Sequence, residues 1–259
     1  MTYRRALVTG GGQRLGRAMA LYLAARGCDV AVHFNTTDPA PVLAAIRAMG
    51  RRAVGLRADL LDEAAVQRLL PAAAEALDGP LDVLVNNASL FERDTWETAT
   101  RHGWDRHMDS NLRAPFVLIQ ALAAQAPRAA MDENGEPLAQ ALAVNMIDQR
   151  VRRLTPDFTS YTIAKMGLWA LTRTAAQGLA PHVRVNAIGP GPTLKGTRQS
   201  DEQFTRQRAA TILQRGASAG DITAALGYFM DAPAVTGQLM CIDGGQHLAW
   251  ETPDAMGVE

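Results

Sequence analysis

"ALVTGGGQRLGRAMA" (Ala6–Ala20) joins an apolar strand pattern to a helical one through three consecutive glycines. Gly10, Gly11 and Gly12 permit a tight turn, and Gly16 lets the helix that follows pack closely on the strand. A helix starting there offers unpaired N–H groups and positive potential to a phosphate. A glycine-rich turn alone is a weak signal; one that closes a strand and opens a helix is stronger. The alternation continues outward. Strands are predicted at "RRALVT", "DVAVHF", "RAVGLRA", "LDVLVN", "LAVNMI", "VRVNAI" and "LMCID". Between them run helical patterns such as "RLGRAMALYLAARG", ending on Gly27 as a C-terminal cap, and "PAPVLAAIRAMG". "DEAAVQRLLPAAAEALDG", with Pro71 as a potential break, and "SYTIAKMGLWALTRTAAQGLA" fit the same reading. Near-continuous apolar strands alternating with helices predict an α/β fold, a parallel sheet covered on both faces. Ligands of such sheets bind beyond the carboxyl ends of the strands, so the informative residues should follow each strand.

Length and charge narrow the field. The chain has 259 residues, within reach of one α/β domain, and 47% of them are hydrophobic. Lys+Arg and Asp+Glu balance at 26 each, which argues against a general binder of nucleic acid or anionic membrane. Cys28 and Cys241 have neither metal-ligand nor disulfide spacing, and His102 and His107 do not share a helical face, so no metal site is expected. The chain opens directly into a strand with no signal-peptide pattern, and no apolar run approaches the ~18 to 20 residues needed to cross a bilayer. A cytoplasmic protein is expected. "MDENGEP" (Met131–Pro137) reads as a surface turn. "GPGPTLKGTRQSDEQ" (Gly189–Gln203) reads as a long polar loop, and residues 189–215 are expected to form a substrate lid, with a plain surface loop as the alternative. The tail "ETPDAMGVE" is expected to fray.

The chemistry is concentrated in two places. In "YTIAK", Tyr161 and Lys165 stand one helical turn apart on one face. A cation there is expected to lower the phenol's pKa from ~10 and make it a proton donor and acceptor. Thirteen residues earlier the apolar strand "ALAVNMI" runs into Asp148, and a buried carboxylate needs a partner or a job.

The phosphate turn followed by "NNA" (Asn86–Ala88), Asn111 within a helix, "YTIAK", "VRVNAIGPG" and "VTGQLMCIDGG", in this order over nearly the whole chain, resembles the short-chain dehydrogenases/reductases. The resemblance implies a Rossmann-type doubly wound sheet of seven parallel strands and hydride transfer from a nicotinamide. It implies catalytic roles for Tyr161, Lys165 and Asn111, the last holding a water in a proton relay, with Lys165 also binding the nicotinamide ribose. It implies cofactor contacts at Gly10, Gln13, Arg14, Leu15, Gly16, His33, Phe34, Asn35, Asp59, Leu60, Asn87, Ala88, Ser89, Met146, Tyr161, Lys165, Pro190 and Gly191. Asp59 is expected at the adenine ring, or else as a helix N-cap. Thr9, Gly10 and Gly16 match the family's turn, but Arg14 replaces its middle glycine, and a guanidinium can pair bidentately with phosphate. The second strand ends "HFNTT", with no acid at its tip to repel a 2′-phosphate. NADPH is therefore the expected cofactor, with a plain strand-end cap as the alternative role for His33.

Most members carry Ser where Asp148 stands. A hydroxyl donates to a carbonyl oxygen, whereas an ionised Asp only accepts. With Arg14, "HF", "NNAS" and Asp-Tyr-Lys, the chain resembles the pteridine reductase branch. That resemblance implies a pterin as substrate, contacted by Ser89, Phe91, Asp148 and Tyr161, with Asp148 also catalytic, orienting the ring or relaying a proton, and Phe91 covering the ring or else serving as a rim aromatic. It also implies a homotetramer packed through the last strand. The expected activity is NADPH-dependent reduction of a dihydropterin to a tetrahydropterin, with folate-type substrates conceivable. The alternatives are a carbonyl or 3-oxoacyl reductase of the same family and a non-enzymatic NADP(H)-binding regulator.

Overall fold

A computed structural model describes residues 3–196 and 199–250. The tail expected to fray, and residues 197 and 198 of the expected lid, lie outside them. The chain runs β1 (Arg5–Val8), α1 (Arg14–Ala25), β2 (Asp29–Phe34), α2 (Ala40–Ala48), β3 (Ala53–Arg57), α3 (Glu63–Ala76) and β4 (Val83–Asn86). It continues with α4 (Arg101–Met108), a π turn (Asp109–Arg113), α5 (Ala114–Gln125), β5 (Ala130–Met131), β6 (Pro137–Leu138) and β7 (Ala141–Met146). After a 3-10 turn (Gln149–Val151) come α6 (Thr159–Leu179), β8 (Val183–Pro190), α7 (Asp201–Ala209), α8 (Ala219–Asp231), β9 (Leu239–Ile242) and a final 3-10 turn (Gln246–Leu248).

All seven strands predicted from the sequence form one parallel sheet, ordered β3-β2-β1-β4-β7-β8-β9. Alternate strand residues serve two cores, because successive side chains point to opposite faces. Val8, Val85 and Val144 pack with α1, α2 and α8, whereas Leu7, Leu84 and Ala143 pack with α3, α5 and α6. This is the doubly wound α/β arrangement, with its switch point where β1 lies between β2 and β4. "MDENGEP" forms the exposed turn of the small β5–β6 hairpin. Among the described residues no helix is long and apolar enough to cross a membrane.

Two expectations need correction. Pro71 does not break α3, which runs through it to Ala76. Pro71 is exposed, while Leu69, Leu70 and Ala73 are buried, so packing of the inner face outweighs the one helix bond that proline cannot make. Residues 201–209 are helical rather than loop: Ser200 and Gln203 form a reciprocal capping box that starts α7. None of the nine residues of α7 is buried.

Candidate active site

The strand ends converge on a cavity of about 630 Å³. All of the expected cofactor residues, Gly10 through Gly191, line it, as do Phe91 and Asp148; Asn111 does not.

The turn after β1 is built from backbone. Gly10 has φ +61°, a conformation that costs glycine little. A Cβ on Gly16 would lie 2.1 Å from the carbonyl oxygen of Gly10 and 2.6 Å from Nδ2 of Asn87, so only glycine lets α1 come this close. No side chain caps α1, and its first turn holds no acid. Its free N–H groups and positive end therefore suit the phosphates of a dinucleotide. Arg14 occupies the left-handed region at φ +50°, which explains why a glycine would be easier there. Its guanidinium donates to the carbonyls of Leu194 and Lys195 at 3.1 and 3.0 Å, tying the turn to the segment after β8.

His33 is buried and faces inward. Its Nδ1 accepts from the Gly10 N–H at 3.1 Å, so Nε2 carries the proton and donates to the Ala58 carbonyl at 3.1 Å. Burial holds its pKa below the usual value. His33 is thus a neutral brace of the glycine turn, and the positive charge at this end belongs to Arg14. The N-cap of α3 is Asp62, not Asp59, whose Oδ1 instead accepts from the Leu61 N–H.

At the other end, Asp148 N-caps the 3-10 turn after β7: its Oδ1 accepts from the Arg150 N–H at 2.8 Å. Its Oδ2 accepts from the Tyr161 hydroxyl at 3.0 Å. Burial pushes the Asp148 carboxyl up, against the Arg150 N–H and the charges of Arg150 and Lys165. Burial, followed by the charge of Asp148, pushes the Tyr161 phenol well above its usual value. The expected lowering by Lys165 is therefore corrected: Lys165 Nζ donates to the Met146 carbonyl at 2.8 Å and lies 5.7 Å from the Tyr161 ring centroid. The lysine is itself pushed down to about 8 by burial, opposed by Asp148.

Asn111 sits fully buried in the π turn, the kind of irregular turn frequent at functional sites. Its Nδ2 donates to the Leu90 carbonyl, and its Oδ1 accepts from the Leu90 N–H and the Ser89 hydroxyl. Here it clamps the strand-end loop that carries Ser89 and Phe91. The Phe91 ring stacks on Phe158 at 4.3 Å and 4°, and meets Tyr161 edge-on at 4.7 Å. Phe158 and Arg150, whose guanidinium lies 5.1 Å from the Phe158 centroid, escape the sequence reading. Phe158 takes φ +62°, and no local pattern predicts an aromatic there meeting a residue 67 positions earlier. Among the described residues no group of His, Cys, Asp or Glu could hold a metal ion.

Residues 12–247 match the family model described as enoyl-(acyl carrier protein) reductase. A short-chain dehydrogenase/reductase of Armillaria gallica is 33% identical, over 93% of this chain and 95% of its own. The chain belongs to the short-chain dehydrogenase/reductase family. It is also similar to a 3-oxoacyl-[acyl-carrier-protein] reductase of Staphylococcus aureus, 28% identical over 95% of this chain and 98% of that one. Among solved structures, FolM alternative dihydrofolate reductase 1 of Brucella suis in complex with NADP superposes with a TM-score of 0.89. It is 42% identical and covers 97% of this chain and 98% of its own. As an oxidoreductase family, the short-chain dehydrogenases/reductases use a nicotinamide cofactor.

Proposed function

We propose that this protein is an NADPH-dependent pteridine reductase that takes a dihydropterin to a tetrahydropterin and admits folate-type substrates. The observation that carries this is Asp148, which accepts a hydrogen bond from the Tyr161 hydroxyl at the end of β7 where a carbonyl reductase needs a hydroxyl donor. A carboxylate in that position suits the N–H groups of a nitrogen heterocycle and repels a developing alkoxide. The likeness to a FolM alternative dihydrofolate reductase supports the same reading.

Arg14, and a β2 tip with no acid among His33, Phe34 and Asn35, fit the 2′-phosphate of NADPH. When bound, NADPH supplies a hydride to the carbon of a C=N bond. Tyr161, held protonated by its raised pKa, gives its hydroxyl proton to the adjoining nitrogen. Asp148 orients the heterocycle by accepting its N–H groups. Lys165 keeps a positive charge beside the site and would hold the nicotinamide ribose. Phe91 covers the flat ring, which fixes proximity and orientation. Residues 189–215 act as the lid of a single domain. Arg208 of α7 donates to the carbonyls of Pro192, Gly216 and Ala217, which secures both ends of this segment. The working assembly is a homotetramer in the cytoplasm.

The test is direct. Purified protein is mixed with NADPH and dihydrobiopterin or dihydromonapterin, and the loss of NADPH absorbance is followed. Turnover is expected. Silence with every pterin and folate, together with clear turnover of a ketone, overturns the proposal in favour of a carbonyl reductase.

A further inference from the structure

Behind the Phe91–Tyr161 contact lies a chain of buried polar side chains that the mechanism above does not use. His107 on α4 is 1% exposed, Ser160 on α6 0% and Asp94, in the loop after β4, 8%. His107 Nδ1 lies 2.7 Å from Ser160 Oγ, and the Ser160 hydroxyl donates to Asp94 Oδ2. Asp94 also accepts the Ser160 N–H at 3.2 and 3.3 Å, and its carbonyl accepts the Phe158 N–H at 2.8 Å. It thereby caps α6, whose N-cap residue Phe158 offers no capping side chain.

The direction of every bond in this chain is fixed. The Glu92 backbone N–H can only donate, and its acceptor is His107 Nε2 at 3.2 Å. The neutral imidazole therefore carries its proton on Nδ1 and donates to Ser160. Ser160 in turn spends its own proton on the carboxylate. No free base faces the serine and no solvent reaches it, so the three residues are not a nucleophilic triad despite their composition.

What the chain holds is the loop that bears Phe91. Asn111 fixes Leu90 through two hydrogen bonds of 2.9 Å, and His107 fixes Glu92. Phe91 stands between these two anchors. Arg93 pairs with Asp157 at 2.8 Å, and Asp94 binds the residues on either side of Thr159. The loop is thus stitched to the start of the helix that carries Tyr161.

We propose that His107, polarised by Ser160 and Asp94, is a positioning residue that sets Phe91 against Tyr161 and so fixes the cover of the substrate ring. This rests on the reading of Phe91 as that cover. It makes His107 a determinant of pterin affinity although it touches neither pterin nor cofactor.

A double-mutant cycle on the full-length protein tests it, with NADPH and dihydrobiopterin as substrates. His107→Phe is expected to raise the KM for dihydrobiopterin about tenfold, as loss of a buried hydrogen-bond partner does. The KM for NADPH should stay within about twofold, and in a Phe91→Ala background the same change should add less than about twofold. An equal rise in both backgrounds, or an equal rise for NADPH, overturns the proposal. If His107→Phe does not fold, Ser160→Ala, which removes one oxygen, replaces it in the cycle with the same expected pattern. Two readouts are independent of turnover. Nitrogen-15 spectra of the histidines should show the His107 proton on Nδ1; a proton on Nε2 overturns the chain. Ring-to-ring proton contacts between Phe91 and Tyr161 should be lost in the variant; their persistence overturns the positioning role. If the wild type reduces no pterin, the substrate reading fails, and these two readouts still decide the role of His107.

Discussion

The glycine turn after β1 and the pocket around Asp148 lie along one edge of the same sheet, and they are made of different material. The turn is backbone: Gly10, Gly16 and the uncapped end of α1 do their work through atoms that are absent. The pocket is side chain: Asp148 from the end of β7, Tyr161 and Lys165 from α6, and Phe91 from the loop after β4. At Gly16 the turn tolerates no added atom, a demand of the dinucleotide fold rather than of any one substrate. The pocket is defined by which polar atoms its side chains present, so it can change substrate without changing the fold.

Three changes probe this contrast. Gly16→Ala should have the largest effect, because its Cβ would sit 2.1 Å from a backbone oxygen that cannot move aside. NADPH affinity, read by fluorescence titration, should fall at least about a hundredfold, or the protein should fail to fold. Tight NADPH binding by a folded Gly16→Ala would break the idea that the turn is set by steric exclusion.

Asp148→Ser should act on the pocket alone. Serine can still cap the 3-10 turn that Asp148 now caps, so the fold should hold. Pterin kcat/KM should fall about a hundredfold while NADPH binding is kept and ketone turnover appears. Unchanged pterin activity would remove the residue from substrate choice.

The smallest effect concerns stability. Burial holds Lys165 down to about 8, below its unfolded value of ~10.4, so folding is penalised wherever the unfolded chain is protonated and the folded one resists it. Lys165→Met should therefore raise stability near neutral pH by about 1 to 3 kcal/mol. The gain should be full below about 8 and shrink as pH rises towards the unfolded value, and thermal unfolding across pH reads it. A gain that grows with pH would show that the lysine is not buried as a cation.

What could be read locally was read from the sequence. The glycines dictate a turn because backbone sterics act over a few residues, and Tyr161 and Lys165 share a helical face because four residues make about one turn. The seven strands followed from runs of apolar residues that only a sheet buried on both faces accommodates. Asp148 stood out because a carboxylate at the end of such a run needs a partner. The direction in which Asp148 and Tyr161 move each other's pKa values depended on distances and burial that no local pattern encodes. Burial and the neighbouring Asp148 push the Tyr161 phenol the same way, while Lys165 bonds to the Met146 carbonyl instead. His33 reads as a basic residue at a cofactor strand end, yet its ring points inward to hold Gly10. Phe158, Ser160 and Asp94 look unremarkable in the sequence and meet only because β4, α4 and α6 end at one corner of the sheet. The sequence by itself determined the backbone of the site, since short-range sterics and hydrophobic period decide it. Only the tertiary structure decided its electrostatics and its aromatic cover, because those depend on contacts between segments far apart in the chain.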